Sequence, residues 1–311
     1  MEWAIQSCAD PLGSARSLLP MMYGGNRLEH VCSQHRTGHS WKSEYSECAR
    51  NLITNGYSVL KISDCLRKQF GLMVSAFTGI DPRIKAVFSF PDRTDGFLPF
   101  GMERSSTTSR VDLCERFCFR QKYRLDHAIH PFSLSATYAA ALACEALLSS
   151  IAEHLMDAIS NEFDAINSFD IRDSSYLQFC SYSPQYRRMD REFLQDRHED
   201  GNLITLVKAT SDGLILYPKG SPMELSMAED EIIAFTGSLL SILSDGRIPT
   251  MDHAVRNPSP NTARSSLVYF VLPDLRRAYR SFVHGKDIDL EPIANELHRG
   301  FGNHPFQGEK H

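Results

Sequence analysis

Five side chains in the C-terminal half of this chain could do chemistry together: His198 and Asp200 in RHEDGNLIT, His253 in GRIPTMDHAV, and Arg264 and Ser266 in ARSSLVYFVLPD. Two imidazoles and one carboxylate on one face of a metal leave three adjacent coordination positions free, the arrangement that suits oxygen activation at non-haem Fe(II). His198 and Asp200 are spaced i, i+2, so both point to one face if the segment is extended. Arg264 and Ser266 have the same spacing, and a guanidinium fork beside a serine can hold a carboxylate next to the metal. His253 follows a long gap, as expected if it arrives from a strand paired across a barrel mouth rather than from the same hairpin. The chain has 12 histidines, and an HxD triplet is common by chance. What singles this one out is the order of parts: HxD, three strands, a histidine, then Arg-x-Ser on a hydrophobic strand.

The elements that must position these residues fall into two textures. The first forty residues are mixed and weakly patterned, reading as an arm over 1–40. A helix is predicted from Trp41 to Asn55, stopped by Asn55-Gly56, and Tyr57 to Ile62 alternates like a strand. Residues 64–90 read as helical with a break at Gly79 to Pro82, PDRTDGFLPFGMER as a loop, and DLCERFCF as a strand. From Pro131 to Phe163 apolar residues recur at helical spacing, predicting a long helix or helix pair. After Ile171 come short strands between turns: SYLQFCSY, NLITLVKA, GLILYP, DEIIAFTG and SSLVYFVL. The fold class is therefore mainly β with helical backing (α+β), as a double-stranded β-helix or jelly roll. The predicted organisation is a single domain over 1–311, with helices and strands over 41–167, a jelly-roll core over 168–275, and a C-terminal helix and tail over 276–311.

Composition excludes several classes. With 33 Lys and Arg against 38 Asp and Glu, the net charge of -5 offers no basic footprint for nucleic acid. The first twenty residues lack the basic start and apolar run of a signal peptide. No uninterrupted apolar segment of roughly 18 residues is present to span a bilayer. A cytoplasmic location is expected, without membrane or nucleic-acid partners. The eight cysteines lack framework spacing and are expected to be reduced thiols, and Cys114 and Cys118 lack the second pair that a zinc site needs. RRMDREF and DLRRAYR read as solvated helix or loop faces. Phosphate-binding loops, dinucleotide fingerprints and nucleophile elbows are missing.

From His198 to Pro273 the chain resembles the 2-oxoglutarate and Fe(II)-dependent dioxygenases, in the branch that includes isopenicillin N synthase. HEDGNLITL, EDEIIAFTGSLLSILSDGR, HAVRNP and RSSLVYFV stand in that family's order and spacing. NGYSVLKIS, GFLPFGMER and DLCERF extend the resemblance over roughly residues 44–275. It implies that His198, Asp200 and His253 are iron ligands and that Arg264 and Ser266 grip the far carboxylate of 2-oxoglutarate. Tyr182 stands where the family has a tyrosine touching a cosubstrate or substrate carboxylate, although the usual Tyr-Pro is here Tyr182-Ser183-Pro184. Thr205 and Val207 match substrate-pocket positions, with plain sheet core as the other reading.

The implied activity couples decarboxylation of 2-oxoglutarate by O2, yielding succinate and CO2, to oxidation of a C–H bond in a small molecule. Hydroxylation in natural-product biosynthesis is the expectation, while desaturation, ring closure or epoxidation would use the same residues. Phe97, Phe100, Phe179 and the tail beyond Asp274 are candidates to shape the pocket. Two alternatives stay open: an isopenicillin N synthase-like oxidase that uses no 2-oxoacid, and a catalytically silent binding protein on the same fold.

Overall fold

The computed structural model describes residues 40–105, 110–165, 169–186, 190–257 and 263–306. The expected N-terminal arm, apart from its last residue, lies outside the described residues, as do Cys8, Cys32, the first three residues of RRMDREF and the tail beyond 306. In chain order the elements are α1 (Ser40–Asn55), β1 (Tyr57–Lys61), α2 (Asp64–Phe77), α3 (Pro82–Val87), β2 (Ser89–Phe90), β3 (Asp95–Leu98), β4 (Glu115–Phe119), α4 (Arg124–His127) and α5 (Ala136–Glu162). They continue with β5 (Tyr176–Tyr182), β6 (Phe193–His198), β7 (Ile204–Ala209), β8 (Leu214–Leu216), β9 (Met223–Glu224), β10 (Glu231–Thr236), α6 (Ser238–Leu243), β11 (His253–Arg256), β12 (Arg264–Val271), β13 (Tyr279–Arg280), β14 (Asp287–Ile288) and α7 (Glu291–Gly300). Residues 38–311 form one compact unit.

Local chemistry fixes where the elements start and stop. Gly56 takes φ +79, a left-handed turn that passes the chain from α1 into β1, and a Cβ there would meet Met251 at 2.8 Å. Ser63 caps α2 by accepting from the Leu66 amide, and Ser135 caps α5 by accepting from the Tyr138 amide.

The strands form an eight-stranded sheet, ordered β1-β10-β7-β12-β5-β4-β3-β2, and a four-stranded sheet, ordered β6-β11-β8-β9. Neighbours run antiparallel, as a double-stranded β-helix of the expected class requires. The alternation of side chains decides which face each residue serves. On β12, Leu267, Tyr269 and Val271 join the main core with α2 and α5, while Arg264, Ser266, Val268 and Phe270 face a cavity between the sheets. On β7 the split is the same: Ile204 and Leu206 pack in the core, and Thr205 and Val207 face the cavity. Each fully buried Leu, Ile or Phe on the core face contributes roughly 1.5–3 kcal/mol, which holds the sheet in this register.

Three sequence expectations change. PDRTDGFLPFGMER contains β3, which pairs with β4 despite its glycines because both strands bury phenylalanines in one cluster. The end of RRMDREF is no solvated face, since Phe193 opens β6. α5 is apolar and long enough by composition to cross a membrane. It lies against α1, α2 and the large sheet with Leu148, Ala152, Leu155 and Ile159 buried.

The thiols follow the expectation at five of the six described cysteines and depart from it at Cys65. Cys48, Cys114, Cys118, Cys144 and Cys180 are free and buried, whereas Cys65 is disulfide-bonded, its partner lying outside the described residues. Spacing along the chain carries no information about which distant thiol comes within bonding reach.

Candidate functional site

β6 ends at His198, and Asp200 follows it in the turn toward β7. His253 opens β11 and stands directly opposite His198 in the antiparallel pair. The long gap in sequence thus closes between neighbouring strands of the small sheet. The pairing slips between His198 and Gln195, an irregularity that lets both of those residues face the cavity although they are three apart. His198, Asp200 and His253 are all buried, and one donor atom from each lies within 4.8 Å of the others. Among the described residues no other cluster could hold a metal ion.

The geometry suits a shared cation. Asp200 Oδ1 lies 3.7 Å from His198 Nε2 and 3.8 Å from His253 Nε2. Two donors bound at about 2.1 Å to one ion are at most about 4.2 Å apart, so both separations fit. His198 Nδ1 lies 2.7 Å from the Asp196 carbonyl oxygen, a bond that puts the ring proton on Nδ1 and leaves Nε2 free. Burial pushes His253 down to about 4, against the pull of Asp200, so this imidazole is neutral at pH 7 and can act as a ligand. The other oxygen of Asp200, Oδ2, accepts from Thr205 Oγ1 at 2.6 Å.

Two cavities meet at this cluster. The inner one, about 400 Å³, is lined by the three donors together with Tyr182, Thr205, Val207, Arg264 and Ser266. The eight residues expected from the sequence as ligands or as cosubstrate and substrate contacts are therefore brought to one chamber. Arg264 is buried, its Nε donates to the Asp212 carbonyl, and its Nη1 has no partner at all. A buried guanidinium nitrogen left without an acceptor costs free energy unless an anion fills the place. The donor set and this unpartnered nitrogen together fit a ferrous ion with a dicarboxylate beside it. Tyr182 turns its hydroxyl to Gln195 Oε1 at 2.7 Å, and its ring lies 5.2 Å from the guanidinium.

The outer cavity, about 550 Å³, shares His198, Asp200, Gln178, Gln195 and Phe270 with the inner one. Its far wall comes from α7 and the segment after it, through His298, Phe301, Asn303 and Phe306. A buried network makes its floor: Arg116 bridges Glu103 and Asp112 at 2.6 Å each, while Gln178 and Asn303 donate to the two oxygens of Glu103. Sequence reading missed this network. Glu103, Asp112 and Arg116 lie in GFLPFGMER and DLCERF, segments that carried the resemblance without a role, and Gln178 is a polar residue at an inward position of a largely apolar strand.

The three candidate phenylalanines do not line either cavity. Phe179 alternates to the helix side and packs on Phe70 and Phe77, Phe97 belongs to the same core, and Phe100 is half exposed against Tyr186. The tail beyond Asp274 does contribute, and the aromatics that line the outer cavity are Tyr176, Phe270, Phe301 and Phe306.

An antiparallel double sheet enclosing a buried His, Asp, His cluster defines a β-shell of the oxygenase type. Residues 174–273, about a third of the chain, match the family model of the 2OG-Fe(II) oxygenase superfamily. That match and the buried donor cluster support an oxidoreductase of the dioxygenase class that uses Fe(II), 2-oxoglutarate and O2. No curated protein matches the chain in sequence. Among solved structures, a dioxygenase for auxin oxidation from rice is similar over 87% of this chain and 94% of its own, with TM-score 0.67 and 14% identity. A Neurospora crassa protein in complex with alpha-KG and thymine covers 84% and 91%, with TM-score 0.65 and 18% identity. A 2OG-Fe(II) oxygenase family protein from Caulobacter crescentus covers 83% and 95%, with TM-score 0.66 and 19% identity. At these identities the likeness speaks for the fold.

Proposed function

We propose that the protein hydroxylates a C–H bond of a small molecule, with His198 Nε2, Asp200 Oδ1 and His253 Nε2 holding the iron and Arg264 with Ser266 holding the far carboxylate of 2-oxoglutarate. The observation that carries this is the buried, unpartnered Nη1 of Arg264 in the same chamber as three metal-competent donors. Fe(II) with 2-oxoglutarate and O2 supplies the oxidation, releasing succinate and CO2. The chain's own residues bind and exclude. Arg264 offers a planar fork that matches a carboxylate, and the Tyr182 ring beside it keeps the guanidinium in place. Val207, Leu214, Phe235 and Val268 give the inner chamber apolar walls beside Gln178 and Gln195, and these walls strengthen each charged contact inside it.

The small molecule enters the outer cavity and meets the metal across His198 and Asp200. Asn303, Gln178 and the Glu103 carboxylate give that cavity acceptors, while Phe270, Phe301 and Phe306 give it flat apolar walls, so a compact molecule with hydrogen-bond donors suits it. A natural-product substrate is in keeping with this lining.

The test is a mass-spectrometric screen of candidate metabolites with Fe(II), ascorbate and 2-oxoglutarate, following product and succinate together. One succinate for each oxidised molecule supports the proposal. Productive oxidation without succinate points instead to the oxidase that uses no 2-oxoacid, and absence of Fe(II) binding in anaerobic titration points to a silent binding protein.

A further inference from the structure

Asp200 has two oxygens, and the structure treats them differently. Oδ1 faces both imidazoles, at 3.7 and 3.8 Å from their Nε2 atoms. Oδ2 turns away and accepts a 2.6 Å hydrogen bond from Thr205 Oγ1. Thr205 is buried in β7, between Phe235 of β10 and Phe270 of β12.

The direction of that bond is forced. Asn202 Nδ2 donates to Thr205 Oγ1 at 2.8 Å, and an amide nitrogen can only donate. The single proton of Thr205 is therefore left for the carboxylate, which can only accept. Asn202 itself is fixed by close packing, since a Cβ on Gly237 would meet its Oδ1 at 2.1 Å and its carbonyl oxygen at 2.4 Å. The result is a rigid relay from Asn202 through Thr205 to Asp200, a short charge-assisted bond at its end.

We infer that Thr205 is a positioning residue that keeps Asp200 a one-oxygen ligand, rather than a substrate contact as its sequence position implies. The inference rests on the metal assignment proposed above. Its consequence follows from counting: an ion with six positions keeps three free when each protein ligand takes one. If Asp200 turned both oxygens to the ion, only two positions would stay free, and a cosubstrate that takes two would leave none for O2. The hydroxyl of Thr205 occupies Oδ2 and prevents this.

The experiment compares wild type, Thr205→Val, which keeps the shape and removes the proton, and Thr205→Ser, which keeps the proton. Each apo-protein is titrated anaerobically with Fe(II). Each is then given 2-oxoglutarate and nitric oxide, whose electron paramagnetic resonance signal counts the protein with a position still open. The expected result is an Fe(II) affinity changed by about 10- to 100-fold in Thr205→Val, the usual effect of losing an outer hydrogen bond to a ligand, with loss of the nitric oxide signal. Thr205→Ser should restore both. Should the valine variant not fold, Thr205→Cys carries the comparison, since its thiol is only a weak donor. Wild-type affinity and a wild-type nitric oxide signal in the folded valine or cysteine variant would overturn the inference. Failure of the wild type itself to bind Fe(II) would overturn the proposed function instead.

Discussion

Replacing Arg264 by methionine separates the role of its charge from the role of its bulk. Arg264 is 2% exposed, and its Nη1 has no acceptor while its Nε has one, the Asp212 carbonyl at 3.3 Å. Hydrogen bonds to a charged group contribute about 1.5–3 kcal/mol, so losing the guanidinium should weaken 2-oxoglutarate binding by about 10- to 100-fold. Thermal unfolding reads this directly, with Mn(II) in place of iron to prevent turnover. At 100 times the wild-type Kd, bound 2-oxoglutarate stabilises the wild type by about 2.7 kcal/mol, and at the same concentration the variant retains only about 0.4–1.4 kcal/mol. At roughly 2 °C per kcal/mol, the ligand-induced rise in Tm falls from about 5 °C to about 1–3 °C. The metal-only Tm should change much less, because methionine removes an unpartnered buried donor together with the Asp212 bond and the contact with Tyr182. Arg264→Lys should fall between, keeping the charge but not the fork. A methionine variant that keeps the full wild-type shift would show that Arg264 does not hold the carboxylate.

Further expectations follow from neighbouring groups. Asp200→Ala removes the one carboxylate of the cluster and should abolish both Fe(II) binding in anaerobic titration and succinate release; hydroxylation at the parental rate would sink the ligand assignment. Burial in α5 raises Glu145 from 4.5 to about 7, so between those values the folded chain holds a proton that the unfolded chain has lost, and stability falls as pH rises through that window. Glu145→Gln should flatten this slope by up to about 3 kcal/mol, measured by urea denaturation at pH 5 and pH 8; an unchanged slope would refute it. His298 is pushed down to about 3, first by burial and then by Arg120, so its contribution is present above pH 6.5 and lost as pH falls toward 3. The protection factors of α7 amides, taken relative to the intrinsic exchange rate at each pH, should therefore fall in acid in the wild type and less so in His298→Phe, and an equal fall in both would exclude His298 as the cause.

How far the sequence revealed this arrangement depends on whether the information was local. Arg264 and Ser266, like Thr205 and Val207, alternate with core residues on single strands, so a period of two is enough to put each pair on one face. The same period identifies Leu267 and Tyr269 as core. Phe179 obeys it too, and its parity with Leu177 would have placed it on the helix side rather than in a pocket. The floor of the outer cavity could not be read in this way. Glu103, Arg116, Gln178 and Asn303 come from four separate segments, and the bonds that join them to Glu103 all span distant parts of the chain; only the Arg116–Asp112 pair is local. β3 escaped notice because its glycine and neighbouring prolines oppose a strand locally, while the phenylalanine cluster that enforces it is tertiary.

The division of the site between two cavities has a directional consequence. His198 and Asp200 line both chambers, whereas His253, Arg264 and Ser266 line only the inner one. An ion held by the three donors would face a carboxylate-binding chamber on its His253 side and an open chamber on its His198 side. The wall between them is thin, made of Gln178, Gln195 and Phe270, the last stacked on Tyr176 at 4.8 Å. Gln195 accepts from Tyr182 in the inner chamber and donates to Asp112 in the outer one, so it fixes the wall by bonding on both sides. Such a partition lets one face of the metal be reserved for the cosubstrate while the other accepts molecules of different shape. The inner chamber is built from paired strands whose register permits little change, and the outer one is closed by α7 and a loop, where sequence can vary without disturbing a ladder. On the proposed function, substrate choice would reside in residues 291–306 and around Glu103, apart from the strands that carry the donor cluster.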